Sequence, residues 1–225
     1  MIWIGYTTEY RTGGMQLRRA ALSMARRKRA EGHRVRCQAV ESKRAVVDAF
    51  ASLPEPMTEL HLFSHSGMYG PMFGTTQLPE QFSPHEWRTL DIPFAEGAEA
   101  YFHACRSGRW FAPFFAREMG VPASGHHWYT TVSHSPERYV RVRRNHPGPA
   151  DVFVVGQPGR TSHGLSGAIG KHTGLLPPVP MVRFTPVPAS SGADYDRVAA
   201  AYDRTFEDIR VRGPEFRWLD TRVKE

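Results

Sequence analysis

The sequence predicts an α/β fold built on a mostly parallel sheet, because short apolar segments alternate with amphipathic ones along its first third. Apolar stretches at 1–6, 35–40 and 60–63 are separated by helical patterns at 15–31 and 43–53. A β-α-β-α-β order implies right-handed crossovers and parallel strands. A chain of 225 residues that is 40% hydrophobic and 23% charged is also long enough and apolar enough to bury a full core.

Capping and breaking residues set the bounds of these elements. Gly32 ends the first helix, Ser42 caps the second, and the run 54–56, Pro-Glu-Pro, stops it. The segment 83–86, Ser-Pro-His-Glu, has the pattern of a helix start and predicts a short connecting helix or turn. A strand at 98–102 follows from its apolar composition.

The second half of the chain predicts fewer regular elements. An aromatic amphipathic helix is expected at 110–119, with strands at 126–132, 151–156 and 181–184. Gly, Pro and Ser crowd the stretch 161–192, which predicts a long active-site or surface segment and a linker, and a helical pattern resumes at 194–207. We therefore predict one domain over residues 1–185, followed by a linker and C-terminal helical tail over 186–225.

The formal net charge is +7, with 29 basic and 22 acidic residues. Much of the positive charge lies in two blocks, 18–29 and 138–144, which favours a solvated helix face over a basic partner surface. We expect no nucleic-acid partner, because no nucleic-acid-binding motif is recognised. No stretch has the length of a membrane span or the pattern of a signal peptide, so we expect no membrane partner and a cytoplasmic location. The two cysteines, Cys37 and Cys105, favour a reduced protein.

Two segments bring a reactive side chain to the end of an apolar stretch. His65 follows the stretch 60–63, Cys105 follows 100–102, and a glycine comes shortly after each. The carboxyl ends of neighbouring parallel strands open onto one crevice, so both side chains are expected at one site. The sequence thus predicts a cysteine-nucleophile dyad of His65 and Cys105, whereas Cys37, in mid-strand, is expected in the core.

These segments, Ser-His-Ser-Gly at 64–67 and Ala-Cys-Arg-Ser-Gly at 104–108, resemble the caspase-like clan of cysteine peptidases, which includes caspases, metacaspases and bacterial CHAT domains. The resemblance covers about residues 1–156 and implies a caspase-like three-layer sandwich. It implies that Cys105 is the nucleophile and that His65 serves as general base and acid. The expected substrate is a protein or peptide, with no cofactor required and an activating partner left open.

The same resemblance implies an oxyanion hole and a substrate pocket. Gly67 matches the glycine whose N–H binds the oxyanion in the family, but Ser66 stands between it and the histidine, so either the geometry is shifted or the Ser66 N–H takes that role. Ser64, His103 and Arg106 are the candidate substrate-binding residues. Caspases carry Gln and metacaspases Asp at the position of His103, so the residue preferred before the scissile bond stays open.

The sequence allows two other interpretations of the site. A non-catalytic CHAT-like interaction module would keep the fold and a remnant of the dyad, with Ser66 and a closed loop at 67–74 preventing turnover. The eleven histidines suggest a metal site, but none of them shows the ligand spacing of a zinc centre, so no metal is expected.

The C-terminal tail carries a second resemblance. Residues 195–206 and 215–219 resemble the opening helix of class I S-adenosylmethionine-dependent methyltransferases, although the glycine-rich cofactor loop that should follow is absent. This indicates either the front part of a longer peptidase–methyltransferase fusion or an ordinary amphipathic helix that happens to look similar.

Overall fold

A computed structural model describes residues 1–67, 70–142, 151–157, 169, 173 and 177–186. Its centre is a six-stranded sheet of order β12-β9-β8-β3-β1-β2, in which only the edge strand β12 is antiparallel to its neighbour. The strands of this sheet are β1 (Ile2–Tyr6), β2 (Val35–Ala39), β3 (Met57–Phe63), β8 (Phe94–His103), β9 (Ala123–Gly125) and β12 (Val182–Phe184). The prediction of an α/β fold with a mostly parallel sheet is confirmed.

Four helices and three small two-stranded sheets complete the described fold. The helices are α1 (Gly14–Ala30), α2 (Lys43–Ala51), α3 (Pro84–Thr89) and α4 (Phe111–Met119). The small strands are β4 (Ser66–Gly67), β5 (Gly70–Pro71), β6 (Phe73–Gly74), β7 (Pro79–Glu80), β10 (Thr130–Ser133) and β11 (Phe153–Gly156), paired in the order given.

Alternating side chains of the central strands enter two separate cores. On one face Trp3, Leu60, Leu62 and Phe102 pack with residues of α2, α3 and α4. On the other face Ile2, Ile4 and Phe63 pack with α1 and with the sheet of β10 and β11, as the two-residue period of a strand requires. The sheet is therefore the middle of three layers.

Most predicted bounds in the first 119 residues agree with the structure to within about three residues, except that the strand predicted at 98–102 begins at Phe94. Ser42 caps α2 by accepting a hydrogen bond from the Ala45 N–H at 3.0 Å, and Ser83 forms a full capping box with Glu86 at the start of α3. The glycine-rich loop after His65 contains the short strands β4, β5 and β6. Gly70 packs so closely on the Phe111 ring of α4 that a Cβ at Gly70 would lie 2.6 Å from it.

The predicted strand at 126–132 is confirmed only at its end, where β10 begins at Thr130, and is wrong for residues 126–129. The chain instead enters the central sheet early, at β9, leaves it at His126, and forms β10 in the separate small sheet. The reason is a close backbone approach between Gly125 and Gly108, because a Cβ on Gly125 would lie 2.6 Å from the Gly108 nitrogen. Residues 126–129 then run beside the turn after β8 and do not pair with a strand of the sheet.

The predicted tail over 186–225 lies outside the described residues, apart from Pro186. Among the residues that the structure describes, no helix is both long and apolar enough to cross a membrane.

We predict that Gly125→Ala destabilises the protein by about 3 kcal/mol, because the new methyl group meets main-chain atoms that cannot rotate away. Gly97→Ala is the control, since Gly97 has φ 72° but no atom within 4 Å of an added Cβ, and we expect it to cost about 1 kcal/mol. Urea unfolding of both variants measures the difference. Equal losses would show that the close approach is unimportant.

Candidate active site

The register of β3 with β8 places His65 and Cys105 at one edge of the sheet. Phe63 and His103 are paired across the two parallel strands, and each candidate residue lies two positions beyond its strand's last paired residue. Both chain segments leave the sheet at its carboxyl edge, and the side chains of His65 and Cys105 line a common cavity. The structure thus brings the predicted dyad together in one crevice.

This crevice lies at the switch point of the sheet. The chain runs from β1 through α1 to β2 on one side, and returns through α2 to β3 on the other side of β1. Ligands of open α/β sheets bind at such points, outside the carboxyl ends of the strands. Thr12 and Gly13, which connect β1 to α1, line the cavity with His65.

A carboxylate holds the connection between β1 and α1. Both Glu41 oxygens accept the Thr8 N–H at 2.9 Å, and one also accepts the Thr8 hydroxyl at 2.6 Å. The Glu41 carbonyl accepts the Gly74 N–H at 2.7 Å. Glu41 therefore ties the segments after β1, β2 and β3 together around the site.

The turn that carries Cys105 is fixed by hydrogen bonds on both sides. The Ser107 hydroxyl donates to the carbonyls of Phe102 and Ala104 at 2.8 and 2.9 Å. Arg106 has φ 58°, a left-handed conformation that costs a non-glycine residue about 1 to 2 kcal/mol, and its N–H donates to the Trp128 carbonyl at 2.8 Å. Helix α4 starts at Phe111, within one residue of the predicted start, so a full turn separates Cys105 from the helix.

The half-buried Cys105 thiol contacts Thr130. The Thr130 N–H donates to Sγ at 3.3 Å, and the Thr130 hydroxyl lies 3.2 Å from the same sulfur. The second cysteine, Cys37, lies in β2, where burial raises its pKa to about 11. The two thiols therefore occupy chemically different surroundings.

His65 is neutral near pH 7. Burial lowers its pKa, the positive charge of Arg11 lowers it further, and a hydrogen bond with the Thr12 backbone acts in the opposite direction. Its Nε2 is buried and has no hydrogen-bond partner within the described residues. A neutral imidazole with a free nitrogen can take up a proton, but this nitrogen is not hydrogen-bonded to the Cys105 sulfur, as a general base acting on the thiol must become.

Two cavities meet at Cys105. The histidine-side cavity, of about 200 Å³, is lined by Thr12, Gly13, Gln16, Leu17, Ser64, His65, Cys105, Thr130, Thr131, Val132 and Val154. The arginine-side cavity, of about 540 Å³, is lined by Ser66, Gly67, Cys105, Arg106, Arg109, Trp110 and Tyr129. Ser64 thus lies on the side of His65, whereas Ser66, Gly67 and Arg106 lie on the other side of the sulfur.

His103 lines neither of these cavities. It is 7% exposed, its ring stacks on Phe63 at a centroid distance of 4.0 Å, and its Nε2 lies 3.1 Å from Nδ1 of His61. Strand alternation turns its side chain to the face covered by α1, so the structure places it beneath the site and not in the walls of the two cavities.

His103 ends a row of buried polar side chains. Nε2 of His61 lies 2.8 Å from a Glu59 oxygen, and this hydrogen bond lowers the pKa of Glu59 to about 2. Because the ionised carboxylate only accepts, His61 donates from Nε2 and accepts at Nδ1 from His103. Lys28 of α1 pairs with Glu59 at 2.9 Å. Burial is the main reason that the pKa values of His61 and His103 are lowered.

Sequence reasoning did not identify Arg109. It adds a second cation to the arginine-side cavity, and its guanidinium lies 4.9 Å from the Trp128 ring centroid. Thr130 is one of several short polar residues that the sequence allows in the cleft, but no local motif signals its contact with the thiol 25 residues away. Within the described residues, no group of three or more His, Cys, Asp or Glu side chains is placed to hold a metal ion.

No family model, curated protein or solved structure matches this chain.

His126 should make folding sensitive to acid. Both of its ring nitrogens are buried without a partner in the described part of the chain, and burial lowers its pKa from 6.5 to about 4. The unfolded chain therefore takes up this proton first, so stability falls as the pH drops from about 6.5 towards 4. At 1.36 kcal/mol per unit, the loss attributable to His126 is about 3 kcal/mol.

We predict that His126→Phe makes the loss of unfolding free energy between pH 7 and pH 4 smaller by about that amount. Urea unfolding at each pH measures it, and His85→Phe, on the exposed face of α3, is the control. The same slope in wild type and His126→Phe would contradict the prediction.

Proposed function

We propose that this protein is a caspase-like cysteine endopeptidase in which Cys105 and His65 hydrolyse peptide bonds. The observation that carries the proposal is that these two residues extend from paired strands into a common cavity at the switch point of the sheet. A buried cysteine at a strand end would be inert, but Cys105 is half-exposed and opens onto two cavities. The sheet with α-helices on both faces, and the resemblance of segments 64–67 and 104–108 to the caspase-like clan, support the same assignment.

The first step is attack by the Cys105 sulfur. Its proton passes to the neutral His65, and the thiolate adds to the carbonyl carbon of the scissile bond. The carbonyl oxygen becomes an oxyanion, which we expect the main-chain N–H groups of Ser66 and Gly67 to bind; both residues line the arginine-side cavity with Cys105, which supports this role.

Collapse of this tetrahedral species breaks the C–N bond. The protonated His65 gives its proton to the leaving amine, and a thioester with Cys105 remains. Water then attacks the thioester while His65 takes its proton, and the acid product leaves with the thiol restored. No cofactor enters this sequence.

The arginine-side cavity favours an acidic residue next to the scissile bond. Arg106 and Arg109 both line it, and neither has a carboxylate partner among the described residues. Trp110 and Tyr129 supply apolar walls. At about 540 Å³ the cavity is large enough for a side chain with several carbon atoms.

We expect Cys105→Ala and His65→Ala each to lower peptide cleavage at least about 100-fold, because the first removes the nucleophile and the second removes its base. The measurement uses fluorogenic peptides that vary the residue before the scissile bond. Cys37→Ala is the matched control and should keep wild-type activity. Cleavage that survives Cys105→Ala would rule out the proposed mechanism.

We expect Arg106→Gln and Arg109→Gln to lower kcat/KM about tenfold for peptides with Asp or Glu before the scissile bond, and to change it little for Ala or Leu. Arg34→Gln, an exposed arginine at the amino end of β2, is the control. A peptide panel measured with all three variants gives the comparison. Equal losses for acidic and neutral peptides would exclude a charge-selective pocket.

One observation favours a second candidate, a CHAT-like interaction module. The sulfur of Cys105 is hydrogen-bonded to Thr130, while Nε2 of His65 has no partner among the described residues. If the protein is a non-catalytic module, we expect iodoacetamide to label Cys105 no faster than a free thiol, and we expect His65→Ala to leave the labelling rate unchanged. Fast labelling that depends on His65 favours the peptidase.

A further inference from the structure

Thr130 is positioned by main-chain contacts rather than by its own side chain. It is the first residue of β10 and is paired with Gly156 of β11. The preceding residues run beside the turn after β8, with the Gly108 N–H donating to the His126 carbonyl at 2.9 Å and the Arg106 N–H to the Trp128 carbonyl at 2.8 Å. The Tyr129 carbonyl accepts the Gln157 N–H at 2.8 Å. The backbone on both sides of Thr130 is therefore held in place against the Cys105 turn.

The two polar groups of Thr130 converge on one atom. Its N–H donates to Sγ of Cys105 at 3.3 Å, and its Oγ1 lies 3.2 Å from that sulfur. A thiolate only accepts hydrogen bonds, so the hydroxyl rotates to donate once the sulfur is ionised. The thiolate then accepts hydrogen bonds from both the N–H and the hydroxyl of Thr130. These bonds are stronger to the charged sulfur than to a neutral thiol.

We infer that Thr130 is a positioning residue that holds and stabilises the Cys105 thiolate. The inference rests on the proposed function, because it assigns the thiolate the role of nucleophile. The proton leaves Sγ for His65, whose side chain lines the same cavity and whose buried Nε2 has no partner among the described residues, Cys105 included, so the imidazole must approach the sulfur for the transfer. The negative charge that remains on sulfur is met by the N–H and the hydroxyl of Thr130. Ionisation thus has an acceptor for the proton on one side and donors for the sulfur on the other.

The test is the pH dependence of iodoacetamide labelling of Cys105 in the folded protein, followed by mass spectrometry of the peptide that contains it. Thr130→Val removes the hydroxyl and keeps the shape and the N–H. We expect the pH of half-maximal labelling rate to rise by about one unit, which is about tenfold slower labelling below both midpoints. Thr130→Ser restores the hydroxyl and should return the midpoint to that of wild type.

Thr131→Val is the matched control, because Thr131 is the next residue of β10 and lines the same cavity. Its midpoint should equal that of wild type. If Thr130→Val does not fold, as judged by thermal unfolding, Thr130→Ala provides the second variant without a hydroxyl.

Three results would overturn the inference. The first is an unchanged labelling midpoint in Thr130→Val, and the second is an equal shift of the midpoint in Thr131→Val. The third is faster labelling in Thr130→Val, which would show that Thr130 restrains the thiol. None of these measurements requires peptide cleavage. The proposed function fails instead if wild-type protein cleaves no peptide, or if cleavage survives Cys105→Ala, whatever the labelling midpoints.

Discussion

The parallel pairing of β3 with β8 is the constraint on which the site depends. The pairing is regular from Glu59 with Glu99 to Phe63 with His103, and a slip of one residue would turn every side chain of one strand to the other face. Leu62 and Phe102, packed with α2, α3 and α4, oppose such a slip because whichever of them lies on the slipped strand would leave the core. Packing on one face therefore fixes where His65 and Cys105 emerge at the strand ends.

The same register assembles polar side chains on the opposite face. A buried polar group without a partner costs about 1 to 3 kcal/mol, yet Glu59, His61 and His103 satisfy one another in a row from the α1 side towards the site. The ionised carboxylate at one end determines which nitrogen of each imidazole carries the proton. His126, whose nitrogens have no partner in the described structure, lies outside this row and adds to the lowering of the pKa of His103. The region under Cys105 is thus polar, with neutral imidazoles nearest the site and the ionised Glu59 at the far end.

Much of the fold could be predicted from sequence because its signals are local. Helix caps such as Ser42 and Ser83, and the apolar periodicity of β1, α1 and β3, act within a few residues of where they occur. The crossing of Gly125 over Gly108 could not be predicted, since it depends on two glycines meeting in space. Cys105 and His65 were found because each follows its own strand, whereas the Thr130 contact depends on β10 folding back from a separate sheet.

The surroundings of His65 and Cys105, which line one cavity, are better suited to a charged pair than to a neutral one. In the neutral state Nε2 of His65 is buried without a partner in the described structure, which is unfavourable. Under the proposed chemistry, protonation gives that nitrogen a hydrogen to donate to the leaving amine, and the Thr130 hydroxyl turns to donate to a sulfur that already accepts the Thr130 N–H. The uncharged pair lacks the first of these hydrogen bonds and does not require the second. Interactions that form only as charge develops lower the barrier without tightening the binding of substrate, so the poorly satisfied resting state is consistent with catalysis.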